Sequence, residues 1–269
     1  SADPEAATPW AIALLRRWAQ EGDIARIRTT LPTVFETATD IERIALLYAV
    51  QSGLGGQELL DWAQRMDGTS ASSVPSAAIN TLRVIAYAQL RDLVNAESSA
   101  ADLFKAERDN LWGARAGLAL AMNAFRQRQP EQAEQWLTEA ERLCARIAPK
   151  GIDAANVLVF RGILDDRLGR ADGMAKLEQG LQRLRELDRH SAAHGRAAFN
   201  AHFIALSQTP RNLVLAERYA REALGVLGQV APATNLHAQA RAALADVLWR
   251  QLQLTEAEQL FAQSWHASR

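Results

Sequence analysis

Apolar residues recur at intervals of three and four along almost the whole chain, and no segment shows the strict alternation of a half-buried strand. This spacing predicts an all-α protein. Its clearest expression is residues 117–140, GLALAMNAFRQRQPEQAEQWLTEA, which read as a helix, a tight turn at Gln129-Pro130 and a second helix. Set on Ala133, this stretch aligns with LADVLWRQLQLTEAEQLFAQS set on Ala257. Leu120, Ala124, Ala133, Leu137 and Ala140 then match Leu244, Leu248, Ala257, Phe261 and Ser264.

In chain order, helices are expected over 10–20 and 24–35, the second kinked or divided at Pro32 because proline has no amide hydrogen to donate. Thr39-Asp40-Ile41-Glu42 has capping-box spacing and opens a helix reaching Val50. Further helices are expected over 57–66, 77–90 and 94–107, and the turn formers of 67–76 (DGTSASSVPS) mark a long loop or a subdomain seam. Helical hairpins then span 111–147, 153–187, 191–227 and 234–268, each with its own turn. The equivalent second-helix positions Ala133, Gly173, Ala216 and Ala257 are spaced by 40, 43 and 41 residues. Small side chains recur there because paired helices approach closely. Such a period implies a solenoid, in which each hairpin buries its apolar face against its neighbours. The expected organisation is a tail over 1–8, disordered or a trimmed start, followed by a solenoid over 9–269 whose part 9–76 is divergent.

Two passages, ERDNLWGARAGLALAMNAFRQRQPEQAEQWLTEAERL (107–143) and ARAALADVLWRQLQLTEAEQLF (240–261), carry a family resemblance. Minimal tetratricopeptide units run to about 34 residues, and these are longer. The chain resembles the superhelical, tetratricopeptide-like sensor domain of MalT-like, LuxR-family bacterial transcription regulators. The resemblance implies a right-handed superhelical α-solenoid that binds a small-molecule effector or a partner protein in its concave groove. In that family the solenoid lies between a nucleotide-binding ATPase and a helix-turn-helix. The phosphate-cradling G-x-x-x-x-G-K-[ST] loop does not occur here, and nothing after Ser264 supplies a recognition helix. The resemblance therefore implies the sensor portion of a larger protein. The alternative is a free-standing scaffold or co-chaperone that holds a peptide.

Composition narrows the function classes. Of 269 residues, 48% are hydrophobic and 23% charged, which is ample for a core and argues against global disorder. A net charge of −1 lacks the basic excess of a nucleic-acid binder. Only Lys105, Lys150 and Lys176 are lysines among the basic residues, a bias that points to a GC-rich, bacterial source. The longest apolar runs fall short of the ~18 residues that cross a bilayer. No signal peptide is visible, so a cytoplasmic protein is expected. A single cysteine, Cys144, excludes an internal disulfide and reads as a small buried hydrophobe.

Candidate chemistry is sparse. His190 and His194 are four apart, with His202 eight further on, but no H-E-x-x-H or thiol at ligand spacing accompanies them. Packed or solvated histidines are the plainer reading, and no metal or cofactor is expected. Asp165-Asp166 point about 100° apart on a helix and face no second acidic pair, so a catalytic dyad is not expected. Gly53 to Gly56 reads as an inter-helix turn rather than an anion site. No serine has a G-x-S-x-G setting, and no enzymatic activity is expected. Trp10, Trp18, Trp62, Trp112, Trp136 and Trp265 are expected in the core; Trp249, with Asp246 and Arg250, is expected toward the end of a groove-lining helix. First helices of such hairpins face the binding surface. The polar residues interrupting their apolar pattern are Asn80, Arg115, Asn123, Arg126, Asn156, Arg161, Asp165, Asn200, His202 and Asp246, and these complete the candidate groove. The expected partner is a small-molecule effector or a protein or peptide, with no nucleic acid and no membrane through this segment; self-association is left open.

Overall fold

The structure, a computed structural model, describes residues 4–21, 23–51, 54–67, 76–230 and 234–267. Among these residues all regular structure is α-helical: fourteen helices and no strand. They are α1 (Pro4–Glu21), α2 (Ile24–Thr37), α3 (Asp40–Val50), α4 (Gly56–Asp67), α5 (Ser76–Leu90), α6 (Leu93–Ala106) and α7 (Leu111–Arg126). The second half contains α8 (Pro130–Ile147), α9 (Ile152–Arg167), α10 (Gly173–Leu187), α11 (Ala192–Ser207), α12 (Leu213–Val230), α13 (Asn235–Arg250) and α14 (Leu254–Ala267). Two compact units divide within α8: Ser1–Leu143 and Cys144–Arg269.

Caps explain several starts. Thr39 opens α3 with a full capping box, its Oγ1 accepting from the Glu42 amide while the Glu42 carboxylate accepts from the Thr39 amide. Asn110, Ser191 and Thr234 cap α7, α11 and α13 through their side chains. Pro32 does not divide α2, which continues to Thr37 with Ile27, Leu31 and Phe35 buried on one face. Burial of that continuous stripe outweighs the single amide that proline lacks. The first helix opens at Pro4, ahead of the apolar periodicity that begins at Trp10. Most of the 67–76 segment lies outside the described residues.

In the first unit α1, α3, α5 and α7 form one layer, each touching the next odd-numbered helix, with α2, α4 and α6 packed against them. Leu15, Ile27, Leu31, Leu46, Leu47 and Leu59 are the centre of its core. The second unit repeats the arrangement: α9 touches α11 and α11 touches α13, while α10, α12 and α14 pack against this layer. Leu177, Leu181, Leu184, Ala198, Ala201 and Tyr219 are buried between the two layers. Helices consecutive in sequence pack on one another, which is compatible with an α-solenoid. Long side chains bridge the even-numbered helices: Arg185 to Glu222 at 2.7 Å, Arg218 to Glu178 at 3.0 Å and Arg221 to Glu256 at 2.9 Å.

The recurring small residues sit where helices are closest. A Cβ added at Gly162 would lie 2.5 Å from the Leu177 amide nitrogen, and one at Gly173 2.6 Å from that of Asp166. At Gly180 it would meet the Val159 amide nitrogen at 2.8 Å. Backbone-to-backbone packing of α9 on α10 thus depends on the missing side chains. Ala133, Ala216 and Ala257 are likewise buried. The aligned pair Leu137 and Phe261 diverges: Leu137 is fully buried, whereas Phe261 is 44% exposed.

The hairpin turns repeat more closely than the side chains. Arg91, Arg128, Gly169 and Leu252 adopt positive φ of 58°, 62°, 72° and 62° after α5, α7, α9 and α13. In each, the next residue donates its amide to the carbonyl five positions back: Asp92 to Tyr87, Gln129 to Ala124, Arg170 to Asp165 and Gln253 to Leu248. This is the Schellman closure, which satisfies carbonyls left over at a helix end. The α11–α12 connection is longer, contains a cis Thr209-Pro210 bond, and is closed by the Asn212 amide on the Ala205 carbonyl at 3.1 Å.

Candidate functional site

The structure places four of the groove candidates inside the helix packing. Asp165 is fully buried, and its two carboxylate oxygens accept from Arg170 at 2.8 Å and Lys176 at 2.6 Å. It clamps the end of α9 to the turn and to α10. Its neighbour Asp166 is half-buried, which raises its carboxyl pKa; the two acids share no site. Asn123 donates to the Leu93 carbonyl at 2.9 Å and toward Glu97, which Gln127 also holds at 2.9 Å, tying α7 to α6. His202 is buried beneath Phe199 and Phe203, where burial lowers its pKa and keeps the ring neutral. Its Nδ1 therefore donates to the Ala216 carbonyl at 3.3 Å. Arg161 is buried too.

The other histidines have separate engagements. His190 meets Gln229, while His194 has the Arg189 carbonyl 2.7 Å from Nδ1 and a Glu222 oxygen 2.8 Å from Nε2. Two acceptors on one ring require both nitrogens to donate, which is the imidazolium form. The hydrogen bond to Glu222 raises the His194 pKa accordingly. Burial alone would raise Glu222, but the bonds from Arg185 and His194 outweigh it and hold that carboxyl at about 2. At the start of α4 the Gly55 amide is taken by Glu58, itself gripped by Arg28 at 2.7 Å. Cys144 is buried.

The remaining candidates lie at the surface. In the first unit Arg115 is exposed over the Trp112 ring at 4.8 Å, Arg126 is exposed, and Asn80 accepts from Arg83 at 3.0 Å. In the second unit Asn156 on α9 and Asn200 on α11 are half-buried and have no hydrogen-bond partner among the described residues. Asp246 on α13 pairs with Arg250 at 2.8 Å, and Trp249 is 58% exposed. Trp10, expected in the core, is instead 79% exposed. The side chain of Trp265 lies outside the described residues.

Two features escape sequence reasoning. Phe203, which carries no signal of its own in the sequence, is 52% exposed on α11, edge-to-face with Phe199 at 4.9 Å. An open cleft of about 570 Å³ is lined by Arg211, Leu213, Trp249, Arg250, Leu252 and Leu254. It lies where the α11–α12 connection meets the α13–α14 turn, and the Gln251 side chain braces it by donating to the Leu213 carbonyl at 3.3 Å. Leucine and tryptophan supply the walls and two guanidinium groups the polarity, without any carboxylate, imidazole, hydroxyl or thiol in the lining. Such a cleft can bind and orient; its lining offers no group that would exchange a proton near neutral pH. No protein-family model matches this chain, and no curated protein is significantly similar to it.

Proposed function

We propose that this chain is a non-catalytic sensor or interaction domain of a bacterial transcription regulator, and that it binds through its odd-numbered helices. The observation that carries this reading is the α9–α11–α13 layer. Asn156 on α9 and Asn200 on α11 keep side-chain amides free to bond a ligand, and the same layer exposes the rings of Phe203 on α11 and Trp249 on α13. An exposed aromatic with unspent hydrogen-bonding groups is the composition of a recognition surface. The family resemblance of 107–143 and 240–261 supplies the regulator context, and with it a right-handed, tetratricopeptide-like superhelix of roughly 40-residue units. Effector binding would then shift the parent protein between two arrangements by its differential affinity for them. A cytoplasmic location belongs to the same proposal; among the described residues no helix is long and apolar enough to cross a membrane.

A thermal-shift screen of sugars, organic acids and short peptides tests the proposal, because a ligand selective for the folded state raises its stability by mass action. Expected are small-molecule stabilisers whose effect disappears in the Asn156→Ala, Asn200→Ala, Phe203→Ala triple variant. Stabilisation by peptides alone favours the scaffold reading. A natural reading frame lacking both a flanking ATPase and a helix-turn-helix removes the regulator.

A further inference from the structure

The cleft at the α11–α12 and α13–α14 turns is the least explained feature of the second unit. Its two cations are under-used. Arg211 has no hydrogen bond or ion pair among the described residues, and Arg250 is bound only through Nε, to Asp246. Both terminal amino groups of Arg250 are thus left for a further acceptor. The nearby carboxylates Glu217 and Glu256 are already matched: Arg221 holds them at 2.7 Å and 2.9 Å, so neither is drawn to the cleft arginines.

The apolar wall is also unusual. Trp249, Leu252 and Leu254 are 58%, 80% and 55% exposed, a cluster of large hydrophobics at one end of two adjacent hairpins. Leu252 occupies the left-handed turn position that Gly169 fills in an earlier hairpin, with φ of 62°. A branched side chain is disfavoured there, and at this site it projects a leucine into solvent at the cleft rim. The turn conformation is shared by Arg91, Arg128 and Gly169, but only here does it carry a large apolar side chain into solvent, and such a cluster of exposed apolar surface marks a contact surface. The first residues of α12 (Leu213) and α14 (Leu254) and the last of α13 (Arg250) line the cleft, so two positive helix-dipole ends against one negative end add to the arginines' preference for an anion.

We propose that this cleft binds a small organic anion with an aromatic or branched apolar body, such as an aryl-substituted carboxylate. Its carboxylate lies between Arg211 and Arg250, and its body lies against Trp249, Leu213 and Leu254. The volume fits a ligand of this size, since small-molecule sites span roughly 300–1,000 Å³. The inference deepens the reading of the chain as a binding module and rests on it.

The test is calorimetric titration of the folded chain with phenylacetate, 3-phenylpropionate and 4-methylvalerate, alongside the neutral analogue phenylacetamide. The expected result is saturable binding of at least one acid, with phenylacetamide weaker by about tenfold or more, the usual weight of a charge-assisted hydrogen bond. Arg211→Ala and Trp249→Ala, both surface changes checked for folding by circular dichroism, are each expected to weaken the acid by a similar factor. Arg218→Ala, which removes a cation on α12 that does not line the cleft, leaves affinity unchanged. Equal binding of acid and amide overturns the proposal. So does acid binding indifferent to Arg211→Ala and Trp249→Ala, or no binding by any of the three acids. If the acids fail while another ligand still depends on Asn156, Asn200 and Phe203, the cleft assignment falls and the binding-module reading stands.

Discussion

Replacing Arg170 and Lys176 together by methionine strands the Asp165 carboxylate between α9 and α10 without a cation. That carboxylate is fully buried and accepts at 2.8 Å and 2.6 Å from those two side chains. Removing the partners of a buried charge costs ~3–5 kcal/mol, because the remaining charge is neither hydrated nor paired. Replacing Asp165 itself by leucine has a different outcome. Arg170 and Lys176 are 43% and 34% exposed and can turn to water. The same turn position in the last hairpin is already a fully buried leucine, Leu248, whose carbonyl makes the same closing bond to Gln253. Replacing the one buried member of the cluster by an apolar residue, with its partners free to reach water, is close to neutral, within ~1 kcal/mol here. Urea unfolding followed by amide exchange of α9 and α10 separates the two variants. With a slope of ~2 kcal/mol per molar urea, the double variant loses ~1.5–2.5 M of midpoint and Asp165→Leu less than ~0.5 M. If Asp165→Leu proves the more damaging, the carboxylate is required for itself, and equating Asp165 with Leu248 by turn register is wrong.

The His194–Glu222–Arg185 cluster makes the second unit pH-sensitive in a defined window. His194 has a raised pKa, so its contribution is complete below its ordinary 6.5 and is lost as pH rises through the raised value. Glu222, lowered from 4.5 to about 2, contributes above 4.5 and loses that contribution as pH falls toward 2. Urea midpoints measured against pH are expected to fall on the alkaline side of this window in the native chain, and to flatten there in His194→Gln. Glycine changes should split by location: Gly162→Ala forces a Cβ to 2.5 Å from the Leu177 backbone and lowers stability by ~1–3 kcal/mol. By contrast Gly225, within α12 and with nothing inside 4 Å of an added Cβ, gains ~0.5–1 kcal/mol as alanine. Thermal denaturation of the two variants side by side checks the sign of each.

Much of the helix inventory was legible in the three-and-four spacing. A helix expected over 77–90 is Ser76–Leu90, and the hairpin expected over 111–147 starts at Leu111 and ends at Ile147. Gly173 was legible as a position of close approach because small residues recur at its register. The fate of individual polar residues was not. Asp165 and His202 interrupt an apolar stripe just as Asn156 and Asn200 do, and only the partners brought in by turns and neighbouring helices separate them. Trp10 fails in the other direction: an apolar stripe marks a face that can be covered, and whether a helix covers it depends on the packing of other segments. The cleft was half legible. Trp249 and Arg250 stood out as breaks near a helix end, whereas Arg211 and Leu252 acquire meaning only once two turns meet.

Hydrogen exchange of the chain with and without the strongest small-molecule stabiliser from the thermal-shift screen tests the central claim most directly. Ligand bound to the odd-numbered layer is expected to protect amides of α9, α11 and α13 and of the α13–α14 turn, leaving the exposed faces of α10, α12 and α14 unchanged. Protection concentrated on α10, α12 and α14 would place recognition on the arginine–glutamate surface and contradict the account.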